Sequence, residues 1–381
     1  MIRRGVLALL CGCAILAAQQ NMREFEKALD AQETVRVHDL VDAALRGDSG
    51  TEALLKLGVL LAGREAYSEA GRVFAQCVRN DPASFECGYN LALARLALQD
   101  SQGALLALKA LTANGVEQKA AVGYLRGKIL LTAGQERDGV ESMAAAFRAN
   151  PSDENCALDL GLALIRARAY SPAMETLREA SRIHPDSRLL LLEMSLAEAL
   201  GGEYEDAVAH SRKLLQDDPA NTLPALVEAF SLYAGGRYAE CVHTAAAALE
   251  SPTANPYFHY LRAGASWKMN SPDYVSMSRD LAEAERRMPD CGVCLLLHSK
   301  VHEKMNEDNA AVAELESALR ADPRLAPAWY RLAQLYRKQG KPADAAKALA
   351  RYQVIRSTEG EHDREFFRRQ AIGAFDSTPG P

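Results

Sequence analysis

The stretch DCGVCLLLHSKVH, Asp290 to His302, holds two cysteines and two histidines in the order C-x2-C-x3-H-x3-H. Thiolate and imidazole are the usual ligands of zinc, and a C-x-x-C pair is the usual unit of thiol–disulfide exchange. Length decides against a single metal centre. On a helix, the eleven residues from Cys291 to His302 span about 16 Å, whereas one zinc ion needs every ligand atom within about 2.3 Å. At most the Cys294/His298 pair would share an ion, so no metal is expected. For the redox reading, Asp290 would cap a helix and place Cys291 in its first turn, where the helix dipole lowers a thiol's pKa. Against it, no strand of an α/β fold precedes the motif, and no histidine follows "CGVC" directly for haem attachment. Cys291 and Cys294 therefore stand as a candidate thiol pair, with a disulfide and two free thiols as the alternatives.

No Ser/His/Asp arrangement, phosphate loop or acidic metal motif occurs in a supporting context, and "GGEYEDA" reads as a turn between helices. The chain is expected to be no enzyme and to need no cofactor. Among the other cysteines, Cys77 and Cys87 stand five residues either side of Pro82. In two antiparallel helices joined at that proline such positions face each other. They are a candidate disulfide if the compartment is oxidising, or otherwise two small core residues. Cys156 and Cys241 have no evident partner.

The compartment is suggested by the first residues. "MIRRGVLALLCGCAILAAQQ" places Arg3 and Arg4 before an apolar run of fourteen residues, Gly5 to Ala18, and then turns polar. This is the pattern of a secretory leader over 1–18, and the run is short of the ~20 residues a membrane span needs. Export to a periplasmic or extracellular location, associated with the cell envelope, is the expectation. The whole chain has a formal net charge of −6, from 44 Lys and Arg against 50 Asp and Glu. Removing the leader takes away two arginines and makes the balance more acidic. With no basic stripe, nucleic acid is not an expected partner. No further stretch is apolar enough to span a membrane.

The elements that must carry these residues are helical. Of 381 residues 48% are hydrophobic but only 6% aromatic, and no long alternating run marks a strand. The prolines set a period. Pro151, Pro185 and Pro219 are 34 apart, as are Pro289 and Pro323, and several follow Asp or Asn, as in "RNDP", "RANP", "QDDP" and "RADP". A proline there ends one amphipathic stretch before the next begins. With each proline at position 32, position 8 is small throughout (Gly58, Ala92, Gly127, Gly161, Ser195, Ala229, Ser299, Ala333), and so is position 20 (Ala70 and Ala104 through Ala311 and Ala345). Two antiparallel helices can approach closely at such columns.

In this register the chain resembles the tetratricopeptide repeat family, best in "APAWYRLAQLYRKQGKPADAAKALARY" with Trp329, Leu332, Ala333, Tyr336, Gly340 and Ala345 in the family's columns. "TEALLKLGVLLAGREAYSEAGRVFAQCVRNDP" is a second match. The resemblance covers about nine units over 51–359. It implies an all-α fold, an α-solenoid of stacked helix–turn–helix repeats in a right-handed superhelix. Residues 19–50 are expected to cover the first repeat, a helix over 360–375 to cover the last, and 376–381 to form a disordered tail.

The resemblance also implies that function lies in a concave groove lined by the first helices, which binds a protein or an extended peptide segment. Position 5 is apolar or aromatic almost throughout. The candidate contacts are Tyr89, Asn90, Tyr124, Lys128, Tyr330, Arg331, Gln334 and Arg337. The family's carboxylate clamp would need Lys and Asn at positions 5 and 9, where the first unit has Leu55 and Val59, so a chaperone-tail receptor is not expected. An exported binding scaffold is the main expectation. The alternatives are a thiol-active envelope protein using Cys291 and Cys294, and an array that self-associates through an uncovered end.

Overall fold

The computed structural model describes residues 22–47, 49–269, 273–355 and 359–376. Among these residues every regular element is an α-helix. The leader expected over 1–18, with Cys11 and Cys13, and the tail beyond Asp376 lie outside the described residues. Helix α1 (22–30) and α2 (Thr34–Arg46) precede nine helix pairs. These are α3 (Thr51–Gly63) and α4 (Tyr67–Asn80), α5 (Phe85–Ala97) and α6 (Ser101–Lys109), α7 (Gly115–Thr132) and α8 (Glu136–Ala149), and α9 (Glu154–Arg166) and α10 (Tyr170–Ile183). Then come α11 (Arg188–Gly201) and α12 (Tyr204–Asp217), α13 (Thr222–Ala234) and α14 (Tyr238–Ala248), and α15 (Tyr257–Lys268) and α16 (Tyr274–Arg287). The series ends with α17 (Gly292–Lys304) and α18 (Asp308–Ala321), α19 (Ala326–Lys338) and α20 (Pro342–Ile355), and a last helix, α21 (Glu359–Asp376).

The period is written into the backbone. Within the turns of eight of the nine pairs one residue takes the left-handed conformation: Glu65, Gln99, Gly134, Arg168, Gly202, Gly236, Asn306 and Gly340. Only glycine adopts that conformation without a penalty, which for other residues is about 1–2 kcal/mol. Four of these turns therefore carry strain that the helix packing around them must offset. Exchanging Glu65 for glycine relieves the strain but adds freedom to the unfolded chain. Glu65→Gly is expected to raise stability by roughly 0.5–1 kcal/mol. Urea unfolding reads this directly, and a lower midpoint in the variant would show that the turn is not strained.

The small columns do what close helix approach demands. A Cβ on Gly58 would lie 2.4 Å from the Phe74 ring, and one on Gly127 would lie 2.4 Å from Met143 Cγ and 2.9 Å from the Gly139 carbonyl oxygen. Prolines and capping residues mark the helix starts. Ser84 accepts from the Cys87 N–H at 3.3 Å and Ser187 from the Leu190 N–H at 3.2 Å, each satisfying one otherwise orphaned donor.

The chain divides into two compact units, one ending at Ala163 and one beginning at Leu164. In the first, Phe25, Val41, Leu54, Leu61, Phe74, Leu91 and Ile129 belong to one continuous core. Its first helices bury one face only. Helix α3 buries Leu54, Leu57, Gly58 and Leu61.

The second unit differs. Ten consecutive residues of α13, Leu223 to Leu232, are buried, as are ten of α17, Gly292 to Val301. A helix buried on every side must be covered on both faces. One cover is the second-helix layer; the other is α21. The terminal helix, expected to cover the last repeat, packs instead against α11, α13 and α17.

Candidate functional site

In the first unit, α7 and α9 bring together three of the polar groups on the first-helix face. The Tyr124 hydroxyl donates to Asp159 Oδ2 at 2.6 Å, and Lys128 Nζ lies 2.9 Å from the same oxygen. The ammonium also stands 5.3 Å from the Tyr124 ring centre. Tyr124 and Lys128 are one helical turn apart, so they share a face, and Asp159 completes the group from α9. Burial, followed by the hydrogen bond to Asp159, raises the Tyr124 pKa, so the phenol stays a donor. Lys128 and Asp159 keep 43% and 37% of their side-chain surface, which leaves both charges open to a ligand.

The other expected contacts are placed differently. The Tyr89 ring stacks on Phe85 with centroids 5.4 Å apart and packs on the core. Burial, then the charge of Asp153, raises its pKa. Asn90 donates to the Glu86 carbonyl of its own helix at 2.8 Å. In the second unit, Tyr330 is exposed beside Tyr352, with ring centres 5.2 Å apart. Arg331 forms a 2.6 Å ion pair with Glu303, while Gln334 and Arg337 face solvent on α19. The eight residues thus fall into two sets of four, one in each unit.

Between α11 and α17 the first-helix face is filled. Phe367 of α21 is fully buried, its ring stacked on Phe230 with centres 3.7 Å apart and planes 4° from parallel. Phe366, 3% exposed, lies 5.4 Å from Tyr257, which stacks on Tyr260 at 5.0 Å. Polar groups hold the edges. Tyr260 donates to Asp363 at 2.5 Å and Arg364 to the Tyr204 hydroxyl at 3.3 Å. Arg168 pairs with Glu365 at 2.6 Å, and His362 with Asp322 at 3.0 Å. Hydrogen bonding to Arg368, over a smaller burial penalty, holds the Glu365 carboxyl below its ordinary pKa. None of these α21 residues was among the expected contacts. The sequence did hold a signal, because "LPALVEAFSL" in α13 is apolar on more faces than one partner helix covers.

The cysteine–histidine stretch is resolved into separate pairs. Cys291 and Cys294 form a disulfide at the start of α17, with both residues wholly buried. Cys291 itself is the N-cap, in place of Asp290. His298 has a polar partner at each ring nitrogen, with Glu285 2.9 Å from Nδ1 and Ser278 2.9 Å from Nε2. His302 Nδ1 lies 2.6 Å from Glu307. His298, His302 and Glu314 bring ligand atoms within 4.8 Å of one another, but Glu285 and Ser278 already satisfy the buried His298 ring. Burial, then the charge of Glu285, raises the Glu314 pKa. The second pair, Cys77 and Cys87, is a disulfide joining α4 to α5, with Cα atoms 5.7 Å apart. Cys156 and Cys241 are buried free thiols, and burial pushes each pKa up to about 12.

Comparison with known proteins bears on this architecture. The family profile described as tetratricopeptide repeat matches residues 124–188 and 297–360. No curated protein matches the chain. Among solved structures, a tetratricopeptide repeat protein from Parabacteroides merdae is 15% identical, covers 67% of this chain and 99% of its own, and superposes with a TM-score of 0.52. The C-terminal part of a repeat-containing protein of the same kind from Cytophaga hutchinsonii is 17% identical over 71% and 95%, with a TM-score of 0.44. At such identities the likeness is one of fold, and of these two the Parabacteroides merdae structure carries it.

Proposed function

From the premise that the chain is built of tetratricopeptide repeats forming an all-α solenoid, we propose that it is a protein-binding scaffold whose first unit reads a partner segment along its first-helix face. Repeats of this kind bind protein partners. No described helix is long and apolar enough to cross a membrane. The observation that carries the reading is the group of Tyr124, Lys128 and Asp159. It offers a ring, a cation and a carboxylate side by side, the last two more than a third exposed. An extended peptide presents a carbonyl or carboxylate to Lys128 and an N–H to Asp159, while the Tyr124 ring supplies apolar area at low entropic cost. Tyr89, one repeat earlier, extends the same face.

We place this activity outside the cytoplasm, in the cell envelope. Arg3, Arg4 and the apolar run to Ala18 support export, and the Cys77–Cys87 disulfide suits an oxidising compartment. The buried Cys291–Cys294 disulfide presents no thiolate to a substrate, which disfavours a thiol-active role.

The test is affinity capture from envelope extract, using the chain from Gln19 onward beside a Tyr124→Ala, Lys128→Ala variant shown by circular dichroism to fold alike. The variant is expected to lose a specific partner by at least about 30-fold in affinity, the scale of a recognition hot spot. Equal capture by both chains would move the binding surface away from α7.

A further inference from the structure

We infer that the first-helix groove of the second unit is a receptor for an amphipathic helix, that α21 is its tethered and exchangeable occupant, and that its external ligand is a helix of a partner protein presenting two adjacent aromatic residues flanked by acidic and basic ones. This goes beyond the reading of the first unit and does not depend on it.

Three observations carry it. The first is the anatomy of the contact. Elsewhere, paired helices meet at glycine and alanine columns. Helix α21 instead inserts two phenylalanines, with Phe367 on Phe230 and Phe366 beside Tyr257, and reads the rim with Asp363, Arg364 and Glu365. Aromatic anchors in a dry centre with a polar, directional edge make up the pattern of a binding interface. The rim contacts also fix orientation, since the acid preceding the phenylalanines meets Arg168 while the next acid upstream meets Tyr260.

The second observation is connectivity. Helix α21 is not laid on its neighbour in sequence as the next element of the stack; it reaches back to α11 and α13. Its partners lie far along the chain, Arg168 and Glu365 being 197 positions apart. A tethered element of this kind behaves as a ligand at an effective concentration of about millimolar.

The third is what lies beneath. Leu226, Phe230, Tyr257 and Leu296 are each 2% exposed or less, and removal of α21 would open Phe230 and Tyr257 to water. An apolar patch of that kind on a bare surface is an association site, so the groove exchanges one occupant for another and is not left empty. With the tether at about millimolar and an intrinsic affinity of α21 for the groove of about micromolar, an external helix would appear roughly a thousandfold weaker while α21 is docked. The tether thereby sets the threshold for the partner.

The experiment uses the full chain with a specific protease site inserted between Ile355 and Glu359. The probe is a labelled synthetic peptide of residues 359–376, together with its Phe366→Ser, Phe367→Ser form. Before cleavage the peptide should bind weakly. After cleavage and removal of the freed tail, it should bind 100- to 1000-fold more tightly, the serine form should not bind, and circular dichroism should show the remaining helices intact. In the uncut chain, Asp363→Ala with Glu365→Ala loosens only the rim and should tighten peptide binding about tenfold. Four results would overturn the inference: a cut chain that unfolds, a tail that stays bound through extensive dilution, equal binding of the serine peptide, or no gain in the rim variant. A concentration-dependent dimer that exchanges tails between copies would replace the partner helix with a second copy of this chain.

Discussion

A Phe367→Ala chain is expected to release α21 while keeping its nine helix pairs. Phe367 is fully buried against Phe230, and truncating such a side chain costs about 3–5 kcal/mol. At 1.4 kcal/mol per tenfold, the docking equilibrium constant falls by roughly two to four orders of magnitude. The rim cannot compensate. Arg168 keeps 63% of its side-chain surface in its pair with Glu365, and an ion pair that open is worth at most about 1 kcal/mol. Arg168→Ala should therefore leave α21 docked, and the contrast between the two variants separates aromatic anchoring from charge. Hydrogen exchange over residues 359–376 is the readout, with protection lost in Phe367→Ala and kept in Arg168→Ala. Wild-type protection in Phe367→Ala would mean that the phenylalanine pair is not the anchor.

The second large effect is expected at Asp280, which ties α15 to α16. Its carboxylate lies 2.9 Å from His259 Nδ1 and accepts from Arg262 Nε at 2.8 Å, with only 11% of its side chain exposed. Burial alone would raise its pKa, but the hydrogen bonds from His259 and Arg262 outweigh it, and the net shift is downward. A carboxyl whose folded pKa is depressed contributes stability that is present above the unfolded value, near 3.9. That stability is lost as pH falls through the folded value. Asp280→Ala removes the carboxylate and strands two partly buried bases, at a cost of about 3 kcal/mol at neutral pH. Replacing the pair with Asp280→Leu and Arg262→Met should recover most of that loss, because apolar isosteres fill such sites without desolvating a charge. Urea unfolding at pH 7 and pH 3 tests both points. Asp280→Ala should be weaker at pH 7 and should lack the acid-dependent loss that this site adds in the wild type. A wild-type midpoint at pH 7 would refute the assignment.

The helix pairs were legible because their information is local and repeated. Pro151, Pro185 and Pro219 mark the junctions, and Gly58, Gly127 and Ala333 mark the close approaches, each within one period of its partner. The facing cysteines at 77 and 87 were legible for the same reason. The filled groove was not, since a periodic reading sees only neighbouring units and Phe367 meets Phe230 across several of them. What the sequence displayed was a surplus, ten residues of α13 with no polar face to give to water. The partners of His298 on α17, Glu285 and Ser278, come from a different helix, outside the reach of spacing within one segment.

The position of α21 has a consequence during synthesis. A ribosome adds about 5–20 residues per second, so the chain from Lys304, where α17 ends, to Asp376, where α21 ends, takes on the order of ten seconds to make. For that interval the nascent chain can already hold α11, α13, α15 and α17 but not the helix that covers them. The piece that closes the second unit emerges after every other described helix of that unit, and until it does the Phe230 and Tyr257 surface is open to any holdase that favours aromatic, apolar chain.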